Sequence, residues 1–141
     1  MDFFDVLVRY EIALWNAVDQ ELSRQGQIDL GRLHALRVLE RHAGRARVQD
    51  LSDEIGITVG AASKLVDRLE RDGLTMRTAN PDDRRSSLVS LTVSGRQALA
   101  SAMAVCRPAV ARAVGEEDVE PLTGVLRQLL ARLDSGSGLA A

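Results

Sequence analysis

The stretch Asp50–Gly95, DLSDEIGITVGAASKLVDRLERDGLTMRTANPDDRRSSLVSLTVSG, decides the fold. It opens inside a short helix, Val48 to Ile55, which Gly56 stops. Thr58 is placed to cap a second helix from Val59 to Arg71, and Gly73 follows as a left-handed terminator. Leu74 to Ala79 and Ser87 to Leu91 alternate as strands around Asn80, Pro81, Asp82 and Asp83, a run of turn formers. Thr92 then caps another helix. Two helices, a tight turn between them and a hairpin are thus written in one continuous segment.

Outward from that segment the chain reads as helical in both directions. Residues 3–24 carry Val6, Leu7, Tyr10, Ala13, Leu14, Ala17, Val18 and Leu22 at helical spacing, and Gly26 ends the run. Asp29 caps a helix reaching about His42, with Leu30, Leu33, Leu36, Val38 and Leu39 inward and Gly44 as its stop. The basic GRARVQ that follows is short and extended enough to pair as a minor strand. The helix after Thr92 runs to about Val114, and Pro108 inside it is expected to bend or interrupt it. Residues 118–133 form a last amphipathic helix with Val119, Leu122, Val125, Leu126, Leu129, Leu130 and Leu133 on one side. The tail, 135–141, is expected to be disordered.

The fold class is therefore mainly α with a small β-hairpin wing, in a single domain over 1–141. A winged helix-turn-helix module occupies about 30–92, and dimerisation helices occupy about 3–25 and 93–134. The apolar faces of the terminal helices exceed what so small a module can cover. A second copy is the simplest cover, so a two-fold homodimer is expected.

Composition narrows the setting. Aromatic residues at 3% leave a core of Leu, Val, Ala and Ile. Cys106 is the only cysteine, which excludes an internal disulfide and points to a reducing cytoplasm. MDFFDVLVRYE has no basic lead into an apolar run, and no apolar run approaches the ~18–20 residues of a membrane span, so no membrane partner is expected. Net charge is −2, which does not favour nucleic acid in bulk. Residues 45–96 hold nine Arg or Lys against eight Asp or Glu, so any DNA reading rests on the placement of particular arginines.

Placement is informative. On the helix from Val59 to Arg71, Ala62, Leu65, Val66 and Leu69 form the inward face. Gly60, Ala61, Ser63, Lys64 and Arg68 face outward, with Asp67 beside them. Small residues at Gly60 and Ala61 allow close approach of a duplex, and the helix start that Thr58 caps favours a phosphate. Ser63, Lys64 and Arg68 have the reach for base edges or phosphates. A solvated face with Asp67 and Arg71 paired one turn apart is the other reading of this helix. At the hairpin tip Asp83, Arg84 and Arg85 shield no apolar residue. Two guanidinia there suit a narrow minor groove or the backbone, with Asp83 pairing with Arg85 or a neighbouring arginine. An ordinary charged hairpin is the alternative, less expected directly after a capped helix-turn-helix.

These residues resemble the MarR family of winged helix-turn-helix transcription regulators. The resemblance is carried by the turn Gly56-Ile57-Thr58, LVDRLERDGL, Arg77, the wing Asp83-Arg84-Arg85, and Leu91-Thr92 before Gly95. It covers about 45 residues by motif, and the order of helices extends it to nearly the whole chain. It implies a homodimer on a pseudo-palindromic duplex, with Ser63, Lys64 and Arg68 at the major groove and Arg85 in the minor groove, Asp83 its supporting acid and Arg84 its neighbour. It also implies a repressor that releases double-stranded DNA when a small molecule binds between the dimerisation helices and the winged module.

The nature of any switch is less legible. Cys106 lies within a helix assigned to the dimer platform, and a buried structural thiol is favoured over an oxidant sensor. His34 and His42, eight apart on one helix, do not make a chelating pair, and no metal or other cofactor is expected. Trp15, with Leu14, Val18, His34 and Arg37, is placed either to line an apolar ligand cleft with a polar rim or simply to join the core or interface.

Catalysis finds no support. Adjacent helical residues such as Ser63 and Lys64 point about 100° apart and cannot share a proton. No phosphate loop or dinucleotide fingerprint is present. A winged-helix module for protein contact, one that has lost specific DNA binding, is the competing reading that the slightly acidic charge allows.

Overall fold

The computed structural model describes residues 1–136, so most of the tail expected to be disordered, 137–141, lies outside the described residues. Six helices and one hairpin are described: α1 Phe3–Arg24, α2 Leu30–Arg41, α3 Val48–Ile55, α4 Val59–Arg71, β1 Thr75–Ala79, β2 Ser87–Leu91, α5 Val93–Val114 and α6 Glu120–Asp134. The chain divides into two compact units, Met1–Val110 and Ala111–Ala141.

In the first unit the helix starts are set by side-chain caps. Asp29 accepts from the Arg32 amide at 2.7 Å, Thr58 from Ala61 at 3.1 Å and Thr92 from Gly95 at 3.0 Å. Each satisfies an amide that the first helical turn leaves without a partner. Gly56 takes the left-handed conformation that ends α3, with φ of 75°. The Asp19 carboxylate accepts the Leu30 amide at 2.8 Å and so ties α1 to the start of α2.

The core is aliphatic and centred on α2, where Leu33, Ala35, Leu36, Val38 and Leu39 are all buried. Leu22, Leu51, Val66, Leu69 and Val89 close around it, one or two from each neighbouring element. Full burial of each such side chain contributes about 1.5–3 kcal/mol, so truncating any of them should cost more than the loss of a cap.

β1 and β2 pair antiparallel from Thr75↔Leu91 to Ala79↔Ser87. The basic segment before α3 joins them through one bridge, in which the Val89 amide donates to the Ala46 carbonyl at 2.7 Å. The expected minor strand is therefore a single residue long.

Three features refine the sequence reading. Of the apolar positions at helical spacing on α1, Val18 and Leu22 are buried, while Val6, Leu7 and Tyr10 are exposed along with Phe3, Phe4, Ile12 and Trp15, an apolar face that the module does not cover. α5 continues through Pro108 without interruption. The proline is exposed, as is Ala104, whose carbonyl loses its helical donor there. Ala43 adopts a positive φ of 51° ahead of Gly44, a turn that a reading based on glycine alone does not anticipate.

In the second unit, α6 begins with Pro121 in its first turn, where no amide partner is needed, and the Asp118 carboxylate accepts the Glu120 amide at 3.1 Å. None of its residues is buried, and Leu122, Val125, Leu130 and Leu133 are more than half exposed. Ser135 and Gly136 close the helix through amides donated to Ala131 and Leu133. No helix among the described residues is long and apolar enough to cross a membrane.

Candidate nucleic-acid interface

The α4 helix separates cleanly into two faces. Ala62, Val66 and Leu69 are buried, and Leu65 is half-buried. Thr58, Gly60, Ala61, Lys64 and Arg68 are exposed, and Ser63 is half-buried at the border. A side chain built at Gly60 would meet nothing within 4 Å, so the surface there is open.

The acids on this face are engaged. The Arg77 guanidinium on β1 donates to the Asp67 carboxylate at 2.8 Å and pairs with Glu70 as well. Partial burial opposes the charge of Arg77, but its two acid partners outweigh that and raise its pKa. Asp67 thus pairs across to the hairpin instead of one turn along to Arg71, because a fork-shaped donor on β1 reaches both acids at once. The cations Lys64 and Arg68 stand beside neutralised acids.

The wing tip is built from its backbone outward. Asn80, buried under the turn, accepts the Asp82 amide at 3.0 Å and donates from Nδ2 to the Ser86 hydroxyl at 3.0 Å. The Asp83 carboxylate accepts the Arg85 amide at 2.9 Å. The expected pairing of Asp83 with an arginine side chain is not formed among the described residues; its carboxylate holds the Arg85 backbone instead, and the Arg85 guanidinium is left exposed. Neither Arg84 nor Arg85 makes an ion pair with a described residue. By contrast Arg45 pairs with Asp82 at 3.5 Å, and Arg47 with Asp50 at 2.8 Å. Sequence reading missed Asn80 as the organiser of the tip and Arg45 as its neighbour; the Asn-Pro-Asp run was the available signal for the first.

The residues considered for a ligand site are only partly together. Trp15 meets His34 edge-on, with ring centroids 6.4 Å apart, and Arg37 is exposed on α2 beyond His34. Burial and the neighbouring Arg37 and Arg41 charges lower the His34 pKa. The hollow beside Trp15 is lined by Glu11, Ile12, Trp15 and Asn16, and includes neither His34 nor Arg37. Cys106 is buried, and burial pushes its thiol pKa up, away from the reactive thiolate.

A capped helix presented beside a hairpin with exposed cations defines a winged helix-turn-helix protein. A family model described as the MarR family matches residues 28–87. The uncharacterized HTH-type transcriptional regulator YfiV of Bacillus subtilis is 28% identical over 95 residues, which cover 66% of this chain and 59% of YfiV. YxaD, another uncharacterized HTH-type transcriptional regulator of that organism, is 32% identical over 97 residues, covering 66% of this chain and 67% of YxaD. The chain spans less than two thirds of YfiV and, at 45%, of the related YwhA.

Solved structures extend the likeness in fold. The transcriptional regulator BldR from Sulfolobus solfataricus superposes with a TM-score of 0.83 at 25% identity, over 92% of each chain. CouR from Rhodococcus jostii, bound to p-coumaroyl-CoA, gives 0.77 at 25% identity over 99% of this chain and 94% of CouR. A mutant MarR from E. coli complexed with operator DNA gives 0.75 at 20% identity, over 92% and 99%. The chain belongs to the MarR family, a family of DNA-binding transcriptional regulators and not of enzymes.

Proposed function

We propose that this chain reads a specific sequence of double-stranded DNA, represses transcription from a pseudo-palindromic operator as a homodimer in the cytoplasm, and releases it on binding a small molecule. The observation that carries the reading is the wing tip. Arg84 and Arg85 project from a turn whose backbone is held by Asp83 and Asn80, yet their guanidinia have no acid partner among the described residues. Cations held on a fixed backbone and left unneutralised suit an anionic groove.

In this reading the α4 start, with Thr58, Gly60 and Ala61, lies against phosphate, while Ser63, Lys64 and Arg68 meet base edges in the major groove. Arg85 enters the flanking minor groove and Arg84 takes the adjacent backbone. The exposed apolar faces of α1 and α6 support dimerisation through a second copy, which places half-sites ~10 base pairs apart. For the effector, support comes from the ligand carried by CouR and from the Trp15, His34 and Arg37 neighbourhood.

Selection of duplexes from a random pool, followed by titration of Arg85→Ala on the winner, tests the reading. A two-fold symmetric winner is expected, with binding weakened by about 1–3 kcal/mol in the variant and the dimer intact. Each phosphate contact should add ~0.9 to the slope of log affinity against log salt. No enriched sequence from a sound dimer would favour the protein-contact reading instead.

A further inference from the structure

Arg77 is opposite Val89 in the β ladder, so the two share a face of the hairpin, and Val89 is fully buried. The arginine stem is sheltered there, and the guanidinium emerges beside α4 between Asp67 and Glu70. Those two acids are three residues apart, hence on one side of the helix. A fork of donors bridging two acids on one helix resists rotation in a way that a single ion pair does not.

We propose that Arg77 is a positioning residue, which sets the angle of the wing against α4 by clamping Asp67 and Glu70; this rests on the DNA reading above. The hairpin has two strands and one bridge to Ala46, so its attitude depends on what it packs against. The tip lies roughly 10–15 Å beyond Arg77 at ~3.3 Å per strand residue. A swing of about 10° there moves Arg84 and Arg85 by roughly 2 Å, more than a hydrogen bond tolerates. Without the clamp the wing still folds but meets the minor groove out of register with α4.

Charge alone predicts the opposite sign, which makes the proposal testable. Neutralising two acids on a DNA-facing helix should tighten binding if they only repel phosphates. If they anchor the wing, Asp67→Asn with Glu70→Gln should weaken binding about 10-fold despite the lost negative charge. Arg77→Ala should lose as much, and Arg77→Lys should lose less while not restoring the parent, since an ammonium lacks the fork.

The experiment titrates the full chain and these variants on the selected duplex, with circular dichroism and the unfolding midpoint checking that each variant is folded. A double-mutant cycle with Arg85→Ala supplies the second readout. Because the clamp acts through the tip, removing it from the Arg85→Ala background should cost little more than Arg85→Ala alone. Tighter or unchanged binding by the Asp67→Asn/Glu70→Gln chain, or losses that add in full, would overturn the clamp while leaving the DNA reading intact. A sound wild-type dimer that selects no duplex would overturn both.

Discussion

Gly95 lies so close to the carbonyl of Leu74 that a Cβ at this glycine would stand 1.9 Å from the oxygen. The same carbonyl accepts the Thr92 amide at 3.0 Å, and the Thr92 hydroxyl donates to the Gly73 carbonyl at 2.6 Å. The start of α5 is thereby locked onto the junction between α4 and β1. Gly95→Ala should destabilise the protein by about 3 kcal/mol, the upper end for overpacking, because the obstructing oxygen is backbone and cannot rotate away. Urea unfolding checks this, and a midpoint equal to that of the parent would show that the junction yields.

Gly60 is the opposite case. A methyl group added there would meet nothing within 4 Å, so Gly60→Ala should stabilise α4 by a few tenths to ~1 kcal/mol. In the DNA reading the same methyl group obstructs close approach of the duplex. Thermal unfolding should therefore rise while operator affinity falls. Affinity that rises with stability would remove Gly60 from the interface.

The start of α3 should respond to acid. The Arg47 side chain donates to the Asp50 carboxylate and holds its pKa down at about 2, from an ordinary 3.8. A value lower in the folded than in the unfolded state means that the stabilisation is present above about pH 4 and disappears as pH falls to about 2. Asp50→Asn should flatten that part of the stability profile. The effect should shrink in high salt, since the Arg47 side chain is 52% exposed. Unfolding curves collected between pH 5 and 2 measure it; identical acid limbs for parent and variant would refute the linkage.

Sedimentation at micromolar concentration should find a dimer. Phe4→Glu combined with Leu130→Glu places charge on two apolar surfaces that are 69% and 59% exposed in one chain, and should shift the population toward monomer without unfolding it. A wild-type chain that sediments as a stable folded monomer would refute the expectation.

Local chemistry is the legible part of the sequence. Asp29, Thr58 and Thr92 cap the helices where their hydroxyls or carboxylates foretell, and Gly56 and Gly73 end them. Each of those devices acts within four residues, so spacing alone reveals it. Less legible is whatever depends on distant partners. The Asp67–Arg77 pair joins a helix to a strand and follows no helical spacing. Periodicity marks Val6, Leu7 and Tyr10 as apolar-face residues, but it does not distinguish a face covered by the chain's own core from one left open on a single copy. Pro108 does not interrupt α5, because an exposed helix side tolerates a lost hydrogen bond that a buried one does not.

Cys106, the sole thiol and buried within α5, also gives the molecule its own stopwatch. Burial slows a maleimide or iodoacetamide label at that sulfur, so the labelling rate reports how readily its surroundings open. Comparing that rate with and without a duplex or candidate effector would reveal which partner quiets α5, with no engineered probe and no competing cysteine to subtract.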